Sequence, residues 1–207
     1  MKKGQRDIST GGTFQFGKSL GDTTLPYIEN EKRNVIDKFK WLSTEYIKAH
    51  TDTLRLSYSI LLVNIEYDNN TGNIIRSSNA FGAKEVILYG RKKFDRRSAV
   101  GSEFYSNFKH VRFVEELEVV FKDYDCVVGL DNVSTAQPLE EFVWDINKNY
   151  LLCFGHEGSG LPIEILDRCD VTLEIFQMGT IRSLNVSVAA GIVMHDYCIK
   201  TAKKSKK

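Results

Sequence analysis

The sequence predicts an α/β domain built on a parallel sheet, preceded by a short N-terminal helical extension. Three observations carry this. Six short, mostly continuous apolar runs recur between Leu56 and Phe176, segments of helical spacing separate them, and the stretches after the runs gather glycine, asparagine and charge. Continuous apolar runs suit strands buried on both faces of a parallel sheet, and their alternation with helices implies the layers that cover those faces.

Taken in order, residues 1 to about 28 contain glycine, serine and threonine without apolar periodicity and read as a draped arm. The next stretch, ENEKRNVIDKFKWLSTEYIKAH, places Val35, Ile36, Phe39, Leu42, Tyr46 and Ile47 at helical spacing, which predicts one amphipathic helix. The strand candidates are SILLVNI, EVILY, VRFV, CVVGL, YLLCFG and VTLEIF. Between them TGNIIRSSNAFGA, EELEVVFK, a short PLEEF segment and LPIEILDRC read as helices or helical turns. A final helix runs from about Ser183 to Lys200, with Leu184, Val188, Ile192 and Val193 as its expected inward stripe. The organisation is an arm and amphipathic helix over 1–53, the α/β domain over 54–201 and a basic tail over 202–207.

A chain of 207 residues with 42% hydrophobic and 27% charged residues supports one sizeable core plus an extension. No apolar run approaches the roughly 18 to 20 residues a bilayer requires, so no membrane partner is expected. The start, MKKGQRDISTGG, has no hydrophobic segment after its basic residues, which speaks against secretion. Cys126, Cys153, Cys169 and Cys198 form no CxxC pair and read as reduced thiols in a cytoplasmic protein without a zinc site.

The net charge of +1 hides a local imbalance. RKKFDRRSAVGSEFYSNFKHVR carries Arg91, Lys92, Lys93, Arg96, Arg97, Lys109 and Arg112 against Asp95 and Glu103, interleaved with Phe94, Phe104, Tyr105 and Phe108. Cations that displace counterions beside rings that stack on bases are what a nucleic-acid surface needs. A solvated loop with its rings tucked into the core is the other reading, and composition does not choose between them.

Ligands in open parallel sheets sit beyond the carboxyl ends of the strands. Four polar stretches occupy that position: DNNTGNIIR, GLDNVST, FGHEGSGLP and IFQMGTIRSLN. GHEGSG is not GxGxxG, lacks the GKS or GKT of a phosphate loop and follows the fifth strand candidate, which speaks against a dinucleotide or ATP site. His195 and Asp196 have no spaced metal partners, and His156 lacks a nucleophile or third triad member, so both histidines read as structural or incidental. In GTIRSLNVSVAAG, helix capping by Ser183, with help from Asn185, is one account, but it explains a single serine and leaves Gly179, Arg182 and Asn185 without a role of their own.

NNTGNIIRSSNAFGA, LLCFGHEGSGL and GTIRSLNVSVAAG, in that order, resemble the three motifs of the SpoU/TrmH branch of the SPOUT superfamily, which are S-adenosylmethionine-dependent RNA ribose 2′-O-methyltransferases. The resemblance spans about Tyr58 to Lys200. It implies a Rossmann-like parallel sheet whose C-terminal part is threaded into a trefoil knot, which periodicity cannot reveal. Two copies would pair through the knotted region. By motif position, Leu130, Gly155, Ile175 and Leu184 contact the cofactor, while Asn70, Arg76, Glu157, Ser183 and Asn185 shape the reacting centre. Glycines 155, 158, 160 and 179 would let backbone approach the ligand.

Arg76 corresponds to the catalytic arginine. To serve as a general base it would have to give up its proton at neutral pH, far below the range in which a guanidinium ordinarily does so, at a large cost in free energy. Holding a phosphate or stabilising a developing alkoxide is therefore equally open. Phe176 and Gln177 stand where many members have proline after the isoleucine, and Arg182 before SLNV is similar to the tRNA-directed members. Arg91, Lys92, Lys93, Arg96, Arg97 and Arg182 are the RNA-facing candidates. The implied activity is methyl transfer from S-adenosylmethionine to a ribose 2′-hydroxyl of tRNA or rRNA by a cytoplasmic homodimer, without metal. A noncatalytic knotted RNA-binding or assembly factor and base methylation are the alternatives.

Overall fold

The computed structural model describes residues 32–202, so the arm at 1–28 and residues 203–207 of the tail lie outside the described residues. The first described elements are a 3-10 turn at Asp37–Phe39 and helix α1 (Thr44–Asp52), in place of the one amphipathic helix expected there. The break has a local cause. Ser43 Oγ accepts from Tyr46 N at 3.1 Å and starts a new helix, while the Arg33 guanidinium donates to the carbonyls of Lys40 and Leu42 at 2.8 and 2.9 Å. Of the expected stripe, Ile47 is buried and Ile36 is exposed.

The sheet domain then runs β1 (Tyr58–Val63), α2 (Asp68–Ala80), β2 (Val86–Tyr89), α3 (Arg96–Ala99), β3 (Phe108–Val111), α4 (Val114–Lys122) and β4 (Cys126–Leu130). It continues with β5 (Gln137–Pro138), β6 (Tyr150–Phe154), α5 (Ile163–Leu166), β7 (Val171–Glu174) and α6 (Val186–Ala202). The seven strands lie in the order β3-β2-β1-β6-β4-β7-β5, and every pairing is parallel. Alternation sends Ile60, Leu62, Val128 and Leu152 to one face, under α2 and α6, and Leu61, Val127, Leu151 and Cys153 to the other, under α4 and α5.

Two elements differ from the sequence reading. The third strand is Phe108–Val111 rather than 111–114, because the Glu116 carboxylate accepts from Arg112 N at 2.7 Å and from Phe113 N at 3.3 Å and turns the chain into α4. Around PLEEF a two-residue edge strand, β5, precedes a 3-10 turn at Leu139–Glu141; Pro138 is tolerated because an edge needs no second donor.

The larger correction concerns α6, which begins at Val186 and not at Ser183. Asn185 Oδ1 accepts from Ser187 N at 2.9 Å and from Ser187 Oγ at 2.6 Å, so Asn185 is the cap. The helix buries Ala190, Val193, Met194 and Tyr197, whereas Leu184, Val188 and Ile192 are exposed. Only Val193 of the expected stripe faces inward. VSVAAGIV is apolar nearly all round, so spacing cannot choose the face; the aromatic cluster of Tyr58, Trp144, Tyr150 and Tyr197 chooses it.

Candidate active site

The carboxyl ends of β4, β6 and β7 lie side by side, and their loops enclose a cleft of about 480 Å³. Leu130, Gly155, Ile175 and Leu184, the cofactor candidates, all line it. So do Glu157 and Ser183 of the reacting-centre set, and Arg182. Asn70 and Asn185 enter by hydrogen bonding. Asn70 Nδ2 donates to Glu157 Oε1 at 2.7 Å, and Asn185 Nδ2 donates to Asn70 Oδ1 at 3.1 Å. One residue from each of the three sequence motifs thus joins a single chain of contacts.

Glu157 is held firmly. Besides Asn70, the backbone N–H groups of Glu66 and Tyr67 donate to its carboxylate at 2.9 and 3.3 Å. Partial burial pushes the Glu157 carboxyl up, but the hydrogen bonds from Asn70 and from backbone outweigh it and keep the group below the ordinary glutamate value. Glu157 is therefore an anion at neutral pH.

Two of the glycines serve the protein before they serve any ligand. The turn after β6 closes on itself, with His156 N donating to Gly160 O at 3.0 Å and Gly160 N to His156 O at 2.8 Å. A Cβ on Gly155 would run into the Gly160 carbonyl and Leu161 N, and one on Gly160, at φ +71°, would meet the Asp131 carboxylate. Gly158 and Gly179 have room for a side chain, so only the first pair is sterically fixed.

The segment after β4 supplies residues that the motifs did not mark. Asp131 Oδ2 accepts from Leu161 N at 2.7 Å, and Asn132 Nδ2 donates to Arg182 O at 3.0 Å. One dipeptide thereby ties the β6 loop to the β7 loop across the cleft. GLDNVST signalled a binding loop through its position and composition; which of its residues reach across is a matter of tertiary distance.

Glu66, His156 and Glu157 bring possible metal ligands within 4.8 Å of one another. Atoms of two of them, His156 and Glu157, are already engaged. His156 Nδ1 accepts from Gly158 N at 3.0 Å, which leaves the ring proton on Nε2, 3.4 Å from Glu66 Oε2, and both Glu157 oxygens accept from N–H donors. His195, exposed on α6, lies edge-on to Phe81, and Asp196 accepts from Trp144 Nε1 at 2.8 Å and pairs with Lys200.

Arg76 is exposed on α2, its side chain forms no hydrogen bond or ion pair among the described residues, and it is not part of the cleft's lining within one chain. The basic segment is partly neutralised. Arg91 pairs with Asp68 at 2.7 Å and Arg97 with Asp95 at 2.9 Å, Arg96 lies 3.9 Å from Glu103, and Lys92 and Lys93 are exposed without partners among the described residues. Its rings divide: Tyr105 is buried, Phe94 stacks on Phe108, and Phe104 stands in solvent.

A parallel α/β sheet with a glycine-closed turn and an asparagine–glutamate chain at its carboxyl edge is an architecture shared with solved SpoU methyltransferases. The model of the SpoU rRNA Methylase family matches residues 57–195, and the chain belongs to that family. YacO of Bacillus subtilis (strain 168), assigned to the TrmH family of tRNA/rRNA methyltransferases, is 27% identical over 156 residues, covering 72% of this chain and 61% of YacO. The tRNA (cytidine-2′-O-)-methyltransferase TrmJ of Methanocaldococcus jannaschii is 25% identical over 163 residues, covering 70% of this chain and 69% of TrmJ. The crystal structure of the SpoU methyltransferase AviRb from Streptomyces viridochromogenes with AdoMet superposes with a TM-score of 0.63 at 26% identity, covering 72% of this chain and 59% of AviRb. The match thus spans about three-fifths of YacO's length.

Proposed function

We propose that this protein transfers a methyl group from S-adenosylmethionine to a ribose 2′-hydroxyl of tRNA or rRNA. The observation that carries the reading is the Glu157–Asn70–Asn185 chain, which draws all three motifs to one edge of the cleft. The names of TrmJ and of the AdoMet-bound AviRb support ribose as acceptor and the cofactor as donor.

The cleft suits that cofactor. Leu130, Ile175 and Leu184 offer apolar walls for an adenine, the backbone at Gly155 is approachable, and the carboxylates of Asp131, Glu157 and Glu174 suit a cationic ligand. When bound, S-adenosylmethionine supplies an electrophilic methyl on a sulfonium. The chain's own residues do the rest. Asn70 and Asn185, each held through both ends of its amide, fix the geometry between motifs, and positioning supplies much of the rate of such a transfer. Arg76, exposed and unpaired among the described residues, presents a guanidinium able to hold an RNA phosphate or stabilise the developing alkoxide.

The reading includes a homodimer and a knot. Val188, Ile192 and Ile199 leave an apolar stripe of α6 in solvent, 50%, 38% and 39% exposed, which a second copy would cover. Pairing that completes each cleft from the partner would also give Arg76 a site to act on. Ile192→Asp is expected to convert the dimer to monomer in sedimentation. The knot comes from the family resemblance, and the strand order, with β6 between β1 and β4 and β7 between β4 and β5, is compatible with it.

The test uses labelled S-adenosylmethionine and total cellular RNA. The wild type is expected to label RNA, and digestion to release a 2′-O-methyl nucleoside. Arg76→Ala should keep cofactor binding and lose transfer. A methylated base would move the acceptor from ribose, and cofactor-independent RNA binding without transfer would favour the noncatalytic alternative.

A further inference from the structure

The segment from Arg91 to Tyr105 is a small lobe on α2, and its placement bears on how RNA reaches Arg76. The lobe is docked at two points. Asp95 N donates to Asp68 O at 2.9 Å, and a Cβ on Gly72 would strike Ser98 Oγ and Asp95 O, so α3 lies directly on the start of α2. At the other end, Asn79 Nδ2 donates to Tyr105 O at 3.4 Å. Gly72, Arg76 and Asn79 fall at i, i+4 and i+7, one stripe of the helix. Arg76 therefore stands on the seam with the lobe, between its two attachments.

The lobe presents one ring to solvent. Phe104 is 55% exposed, in a 3-10 turn (Ser102–Tyr105) whose next residue, Tyr105, is buried. The Arg96 guanidinium lies 5.8 Å from the centre of the Phe104 ring, within cation–π range, and its Nε is 3.9 Å from Glu103 Oε1. The turn is fixed by Val100 and Gly101, at φ 53° and 86°, the first a left-handed conformation rare for a β-branched residue. Such strain persists where the surrounding structure over-determines it, often at binding sites. Lys92 and Lys93 add exposed cations on the approach.

Resting on the methyltransferase reading, we infer that this lobe is a platform for an unpaired nucleotide of the RNA, whose base stacks on Phe104 while Arg96, Lys92 and Lys93 meet the flanking phosphates. The charge excess favours a polyanion over a second copy of a chain whose net charge is +1. A ring that serves any base by its face requires that base to be out of a helix, so the partner is a single-stranded loop or bulge and not duplex RNA.

The probe is a twelve-nucleotide single-stranded RNA carrying one 2-aminopurine, with a twelve-base-pair duplex as control. The wild type is expected to quench the single strand's fluorescence and bind it more tightly than the duplex. Phe104→Ala should weaken single-strand binding about 5- to 100-fold and abolish the quench, with its salt dependence unchanged. Phe104→Trp should restore both. Because Phe104 is exposed, thermal stability and cofactor affinity should not move. Equal single-strand binding by wild type and Phe104→Ala, an equal loss on duplex, or dissociation of a dimer by Phe104→Ala would each overturn the platform. Absence of methyl transfer by a wild type that still quenches through Phe104 would sink the enzymatic reading and support the platform.

Discussion

Asn70 and Glu157, 87 residues apart in the chain, meet through a 2.7 Å hydrogen bond in which an amide N–H donates to a carboxylate. Asn70 is only 5% exposed, and its carbonyl oxygen is in turn satisfied by Asn185. Asn70→Asp would set a carboxylate against a carboxylate. Hydrogen bonds to charged groups contribute roughly 1.5–3 kcal/mol, so the expected loss in methyl-transfer kcat/KM is on the order of 10- to 100-fold, with lower stability in denaturant titration. Unchanged turnover would remove this bond from the working machinery.

The depressed pKa of Glu157 has a definite sign in stability. A carboxyl whose folded pKa lies below its unfolded value contributes stability that is complete above the unfolded value, near 4.5, and is lost as pH falls through the folded one. The stability difference between wild type and Glu157→Gln should thus be level from about pH 6 upward and shrink as pH drops below that ordinary value. Denaturant titrations at several pH values measure it.

Gly155 and Gly158 lie three residues apart but should respond differently to alanine. At Gly155 the methyl collides with backbone of the same turn, which cannot step aside; at Gly158 the nearest atoms are the His156 ring at 3.5 Å. Gly155→Ala is expected to abolish cofactor binding and lower the melting temperature, and Gly158→Ala to leave the melting temperature nearly unchanged. Calorimetry and thermal denaturation separate the two.

Asn132 makes the sole hydrogen bond described for the residues between β7 and Asn185, through Arg182 O. Most of that loop is exposed, Met178 to 90%. Asn132→Ala should weaken S-adenosylmethionine binding about 2- to 10-fold, the equivalent of one neutral hydrogen bond of roughly 0.5–1.5 kcal/mol, and speed amide exchange over residues 176–184. The melting temperature should barely change, because the loop covers little of the core.

The elements that local pattern specifies were legible in the order of residues. CVVGL is β4 and YLLCF is β6, because a strand buried on both faces has to be apolar throughout. The family motifs likewise lie in contiguous residues; the second and third line the cleft, and the first reaches it through Asn70. Asn185 was a capping candidate in the sequence, but the working face of α6, the bridge from Asn185 to Asn70, the closure of the turn by Gly155 against Gly160, and the reach of Asn132 to Arg182 were decided only in three dimensions. Each depends on which distant segment arrives beside it, and periodicity carries no record of that: a helix apolar on every side has no preferred face until a neighbour packs on one, and an amide has no partner until folding brings one within hydrogen-bond distance.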